Sequence, residues 1–257
     1  MGVAGLFDLT RRVAIVTGGS AGLGCQMAEG LAEMGANLVI CSRKKEGCES
    51  AASRIKQQFG VEVLPLPCDV RRAEDIEQAV NDTVSRFGRI DVLINNAGAT
   101  WGAPVEAMRL EHWNKVIETN LTGTFLFSQA VGKVMIQQHA GNIINIASIA
   151  GMRGASPDYQ AIAYHASKGG VITFTKDLAC KWAMHNIRVN AIAPGWFITR
   201  MTAAVLGRDQ DSILRKIPLG RLGNEQDLKA AVVFLASPAS DYVTGHVLVV
   251  DGGMTAM

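Results

Sequence analysis

Seven short apolar runs, separated by longer stretches of mixed character, set the tightest limit on how this chain folds. The runs are Val13–Thr17, Asn37–Cys41, Val61–Leu66, Val92–Asn95, Asn142–Ala147, Arg188–Ala193 and Val247–Val250. They are rich in Val, Ile and Leu without polar alternation, as expected of strands covered on both faces. The segments between them, including Gly22–Met34, Lys44–Phe59, Arg72–Phe87, Glu111–Gln138, Ala161–Met184 and Glu225–Ala236, read as helices. Such alternation implies right-handed crossovers, and so an α/β fold with a parallel sheet and helices on both faces. The 257 residues are enough for one such domain with a sizeable core. No repeat, low-complexity tract or linker divides them, and only Trp196–Gly223 is a long stretch without a clear pattern.

Charge and cysteine content narrow the function classes. The net charge of +2 gives no reason to expect nucleic acid or a membrane surface as a partner. No apolar run approaches the ~20 residues of a membrane span. Residues Met1–Thr10 lack the basic start and apolar core of a secretion signal. Cys25, Cys41, Cys48, Cys68 and Cys180 make an odd set with no C-x-x-C, which suggests neither a disulfide frame nor a metal site. A soluble cytoplasmic protein is expected.

The first apolar run leads straight into Gly18-Gly19-Ser20-Ala21-Gly22-Leu23-Gly24, and a helical pattern follows. Glycines there permit a tight turn and close approach of a ligand to the backbone, while free N–H groups at the helix start favour a pyrophosphate. The spacing is Thr-Gly-x-x-x-Gly-x-Gly, and no Gly-Lys-Ser/Thr follows, so it is not a P-loop. Dinucleotide binding is expected. An acidic residue at the end of the second strand usually holds the ribose 2′-hydroxyl of NAD. Here Ser42 stands about where that acid would be, and Arg43 and Lys44 follow. A guanidinium suits a 2′-phosphate, and cations are poorly placed at a helix start for other reasons. NADP(H) is the preferred cofactor on this reading, with NAD(H) second.

Tyr164 and Lys168 are four residues apart in a predicted helix, so they share one face. At ~4 Å and an effective dielectric of ~20 an ammonium favours the phenolate by roughly 4 kcal/mol, about three pKa units. That would bring a tyrosine toward the range where it serves as a proton donor to a ketone. Ser148 stands upstream, at the end of an apolar run.

Together these residues resemble the short-chain dehydrogenases/reductases over essentially the whole chain. The matching segments are Thr17-Gly18-x-x-x-Gly22-x-Gly24, Cys68-Asp69-Val70, Asn95-Asn96-Ala97-Gly98, Asn120, Ser148, Tyr164-x-x-x-Lys168, Pro194-Gly195 and Asp251-Gly252-Gly253. The resemblance implies a single-domain, seven-stranded Rossmann-type sheet and hydride transfer between a nicotinamide and a ketone or secondary alcohol. It implies that Tyr164 passes the proton, Lys168 tunes it and holds the nicotinamide ribose, and Ser148 orients the substrate oxygen. Asn120 would help fix a water linking Lys168 to solvent. Asp69 and Val70 would border the adenine, Asn96, Ala97 and Gly98 would support the adenosine side, and Ile198 and Thr199, after Pro194-Gly195, would meet the carboxamide.

The Ser148–Tyr164 interval is two or three residues longer than the family usually has. The surplus falls in Gly154–Gln160 and makes Tyr159 a candidate substrate contact, as is Trp196. Substrate choice in the family lies mainly in this loop and in a lid at about 196–223. The segments Pro194–Thr202, Ile217–Gly223 and Tyr242–Gly245 look like gluconate 5-dehydrogenases, which favours a small-molecule sugar acid or polyol. The 3-oxoacyl-acyl-carrier-protein reductases share most of the same features and give the alternative, an acyl thioester. A dinucleotide-binding protein without catalysis would lack one of Asn120, Ser148, Tyr164 or Lys168, and all four are present. Arg153, Arg200 and Arg221 are candidates for a substrate carboxylate, whereas His165 reads as structural. The long apolar helices Glu111–Gln138 and Ala161–Met184 suggest burial beyond one chain, and the family expectation is a homotetramer.

Overall fold

A computed structural model describes residues 2–257. The seven predicted strands form one parallel sheet in the order β3-β2-β1-β4-β5-β6-β7. They span Val13–Thr17 (β1), Asn37–Ser42 (β2), Val63–Pro67 (β3), Val92–Asn95 (β4), Gly141–Ile146 (β5), Ile187–Pro194 (β6) and Val247–Val250 (β7). Strand order reverses beside β1, which lies between β2 and β4 with Val16 opposite both Ile40 and Ile94. In an open α/β sheet, the crevice beyond the carboxyl ends of strands at such a switch point is the place for a ligand.

Alternate residues of β1 feed opposite layers. Ala14 and Val16 enter a core shared with Met27, Leu31, Leu38, Ile40, Leu228 and Val232. Ile15 joins Val39, Leu93, Phe127, Val131 and Met135 on the other face. The first layer is covered by α1 (Gly22–Glu33), α2 (Lys45–Phe59) and α8 (Glu225–Ala236), the second by α3 (Ala73–Phe87), α5 (Gly123–Gln138) and α6 (Ile162–Trp182). A buried carboxylate fastens the sheet at its centre. Asp91, 7% exposed, accepts bonds from the Val13 amide, Arg12 and Arg89 at 2.6–2.9 Å, joining the starts of β1 and β4.

Three expectations shift. β3 begins at Val63 rather than Val61 and carries Pro65 and Pro67. It pairs only with β2, and an edge strand tolerates residues that donate no ladder bond. The helix expected over Glu111–Gln138 is three pieces: α4 (Leu110–Ile117), a π-helical turn (Glu118–Thr122) and α5. The unpatterned Trp196–Gly223 contains α7 (Ala203–Leu214), whose Leu206 and Ile213 pack with Ile217, Ile149 and Met254. The base of this segment closes through the Gly223 amide, which donates to the Trp196 carbonyl at 2.9 Å. The turn after β7 braces it from below, where the Leu219 amide donates to the Gly252 carbonyl at 3.1 Å. Among the described residues no helix is long and apolar enough to cross a membrane, and no cluster suits a metal ion.

Candidate active site

The predicted phosphate turn lies at the switch point. Gly18 adopts φ +64° and Gly22 φ +55°, a left-handed backbone that favours glycine. Gly18 donates to the Cys41 carbonyl at 2.7 Å, fixing the turn to β2. A Cβ at Gly24 would lie 2.4 Å from both the Gly18 carbonyl and the Asn96 amide, so only glycine allows this closure. At Gly22 a Cβ would meet nothing within 4 Å, which leaves space above the turn. Ala21 precedes α1 in extended geometry and supplies no side-chain cap, so the first amides of the helix are free for an anion. Ser20, Ala21 and Leu23 belong to the same rim. The residues therefore fit a dinucleotide pyrophosphate.

Asn96 and Ala97, expected on the adenosine side, brace the turn from β4. Asn96 donates from its side chain to the Thr17 carbonyl at 2.9 Å, and the Thr17 hydroxyl accepts from the Asn96 and Ala97 amides at 2.9 and 3.0 Å. At the end of β2 the Ser42 hydroxyl donates to the Lys44 carbonyl at 3.3 Å and lies 3.0 Å from the Cys48 thiol. Arg43 and Lys44 are exposed just before α2. Asp69 is gripped by Arg71 through contacts of 2.5–3.2 Å, which hold its carboxyl below the usual carboxylate range, with Arg43 adding to the effect. Val70 is buried against Gly123.

Asn120, Ser148, Tyr164 and Lys168 come from three different elements. Ser148 is extended and its hydroxyl accepts from the Ala150 amide at 3.1 Å, which fixes the loop that follows β5. Lys168, 4% exposed, donates to the Ile146 carbonyl at 2.6 Å and lies 5.6 Å from the centroid of the Tyr164 ring. Burial pulls its ammonium down to about 8. Tyr164 is pushed up to about 12, chiefly by burial and only partly offset by the Ser148 hydroxyl. The fall expected from the lysine is therefore not found. The ammonium is bonded to the Ile146 carbonyl, and burial of the phenol is the largest influence on Tyr164.

Asn120, 1% exposed, occupies the π turn. Its side chain accepts from the Ala99 amide at 2.7 Å and donates to the Ala99 carbonyl and the Ser167 hydroxyl, both at 2.9 Å. It thus ties the loop after β4 to α6. That loop runs close over the lysine, since a Cβ at Gly98 would lie 3.5 Å from Asn120 Oδ1 and 4.0 Å from Lys168 Nζ. π-Helical turns of this kind are frequent at functional sites.

The cleft wall is aromatic. Tyr159 stands edge-on to His165 at 5.6 Å and to Trp196 at 5.9 Å, and burial raises its phenol. Pro194 is buried at the end of β6, and the Gly195 amide donates to the Val250 carbonyl at 2.9 Å. Ile198 is 69% exposed, while Thr199 is bonded to Thr202 at the foot of α7. Of the three candidate arginines, Arg221 is filled by Asp227 at 2.6 and 2.9 Å and Arg153 donates to the Met254 carbonyl at 3.1 Å. Arg200 is exposed.

Sequence reasoning missed a buried polar chain behind the site. Asn95 donates to Ser128 and to Asn145, and Asn145 donates to Thr175, each at 2.9 Å. Asparagines inside the apolar runs of β4 and β5 were the available signal, because a buried amide needs partners from neighbouring elements.

Comparison with known proteins finds relatives over nearly the whole chain. A family model described as enoyl-(acyl carrier protein) reductase matches residues 18–255. A 3-oxoacyl-[acyl-carrier-protein] reductase of Synechocystis is 40% identical over 247 residues, covering 96% of this chain and 98% of that protein. A 5-keto-D-gluconate 5-reductase of Escherichia coli is 39% identical over 251 residues, 97% of each chain. The crystal structure of a gluconate 5-dehydrogenase from Burkholderia cenocepacia, in complex with NADP and tartrate, is 36% identical with a TM-score of 0.95 and full coverage of both chains.

Proposed function

The chain belongs to the short-chain dehydrogenases/reductases, oxidoreductases of hydroxyl and keto groups, and on that premise we propose that it interconverts the ketone and secondary alcohol of a sugar acid or polyol with NADP(H). The observation that carries the reading is the convergence of Ser148, Tyr164 and Lys168 on one buried point, with Asn120 fixing the loop above the lysine. The cofactor supplies the hydride when bound. The glycine turn would hold its pyrophosphate, and Arg43 with Lys44 would take a 2′-phosphate. Asp69 and Val70 would flank the adenine, and Ile198 and Thr199 would face the carboxamide. Ser148 donates to the substrate oxygen and aligns it. Tyr164 keeps its proton at neutral pH and passes it to the carbonyl oxygen, and Lys168 supplies the positive field that favours this transfer. Residues 196–223 act as a lid that excludes water.

Sugar-acid chemistry is supported by the 5-keto-D-gluconate reductase at 39% identity and by the NADP and tartrate complex of the gluconate 5-dehydrogenase. The second reading, an acyl thioester reductase, is favoured by the similarly related 3-oxoacyl reductase and by the exposed apolar Met152 on the loop after Ser148. The protein is cytoplasmic and homotetrameric in this reading. NADPH oxidation with 5-keto-D-gluconate and with an acetoacetyl thioester, each repeated with NADH, tests it. Turnover of the sugar acid with NADPH is the expected result, and turnover of the thioester alone would replace it with the second reading.

A further inference from the structure

At the start of α6, the loop after Ser148 and the loop after β4 border an open recess of about 380 Å³. Its lining is mostly apolar, as in most ligand pockets, and the polar groups set into it are Glu106, Arg153, Ser156, Tyr159, Gln160 and His165. The His165 ring is 6.5 Å from that of Tyr164, and its edge contact with Tyr159 sets its orientation. Nδ1 lies 2.9 Å from the Ala161 carbonyl oxygen. A carbonyl only accepts, so Nδ1 carries the proton, and in the neutral ring Nε2 is an acceptor. The histidine therefore has a structural half, bonded into the start of α6, and a second half that its helix does not use. Arg153 spends one donor on the Met254 carbonyl. A guanidinium has five, and among the described residues no carboxylate pairs with this one. Arg221 differs, because Asp227 occupies its fork.

We propose that this recess is the subsite for the polar end of a polyhydroxylated keto acid. Arg153 takes the carboxylate and His165 Nε2 accepts from a substrate hydroxyl, while the carbonyl rests between Ser148 and Tyr164. The inference rests on the sugar-acid reading and assigns the residues that select it. An acyl thioester offers neither a carboxylate nor a row of hydroxyls, so its binding draws nothing from this pair.

The test compares kcat/KM for 5-keto-D-gluconate with that for its neutral methyl ester, in wild type and four variants. Arg153→Met is expected to lower the acid-to-ester ratio about 10- to 100-fold, the range for a charge-assisted bond. Arg153→Lys is expected to restore part of it. His165→Asn keeps a donor where Nδ1 stands and removes the acceptor, and is expected to raise KM about tenfold for acid and ester alike. His165→Gln, which places an oxygen near Nε2, is expected to recover most of that loss. Equal losses in His165→Asn and His165→Gln would reduce the histidine to its structural bond and overturn its assignment. An unchanged acid-to-ester ratio in Arg153→Met, with wild type active on the acid, would overturn the subsite alone. A wild type silent on the acid yet active on the thioester would remove the sugar-acid reading itself, and the subsite with it.

Discussion

The phenol of Tyr164 shows what a single residue discloses in sequence and what it withholds. Its spacing to Lys168 pointed to a shared helix face, and the two do meet. The direction of its proton affinity was not legible, because desolvation depends on every group that surrounds the ring. The same holds for Asn120, which only the family resemblance singled out and whose bonds to Ala99 and Ser167 only the fold displays. Tyr164→Phe removes the transferable proton without altering the glycine turn. It is expected to cut kcat by at least 10³-fold, of the order attributed to positioned proton donors, with NADPH affinity by fluorescence titration changed less than threefold. Retained turnover would refute the assignment. Lys168 adds a pH signature. Below about 8 the folded and unfolded states both hold its proton; between about 8 and the ordinary value of 10.5 only the unfolded chain does. Unfolding free energy from this group therefore rises with pH across that window, by up to roughly 3 kcal/mol. The raised Tyr164 opposes this only above its ordinary value of 10. Lys168→Met should flatten the rise, and an identical Tm-versus-pH slope from about 8 to about 10 in variant and wild type would contradict the buried ammonium.

At the scale of elements, apolar runs located all seven strands because strands covered on both faces must be hydrophobic throughout. What escaped were the features that periodicity does not encode. The π turn keeps helical composition while adding one residue per turn, so nothing in Glu118–Thr122 announces it. Helix α7 was hidden because Gly207 and three charged residues among its twelve blur the apolar stripe. The contact between α5 and α6 was equally invisible. A Cβ at Gly132 would sit 2.2 Å from the Trp182 ring, so these helices approach as closely as a missing side chain permits. Gly132→Ala must displace a rigid indole, and is expected to destabilise by about 1–3 kcal/mol despite its better helix propensity. Chemical denaturation checks this, and a gain in stability would show that the helices separate freely.

For the whole molecule, the sequence implied one domain with a seven-stranded parallel sheet, and the structure has that sheet; the strand order, which sets the crevice at the switch point, came from the fold. The proposed homotetramer rests on apolar excess on long helices, and Leu110, Phe125 and Ile162 are exposed apolar residues of those segments. Light scattering coupled to size exclusion is expected to give a mass of four chains, and a monomer mass would exclude the homotetramer. The Asp91 fastener bears on how quickly such a molecule forms. Its bond to the Val13 amide joins positions 78 residues apart, and the register of β1 against β4 depends on that junction. Until it closes, β1 has a partner only on its β2 side, and the crevice has one wall. The entropy of closing so long a loop is spent before any core contact between the halves repays it, a circumstance that slows folding. The centre of the sheet is thus its longest-range junction: Asp91 bonds the two strands whose pairing turns two half-sheets into a single crevice.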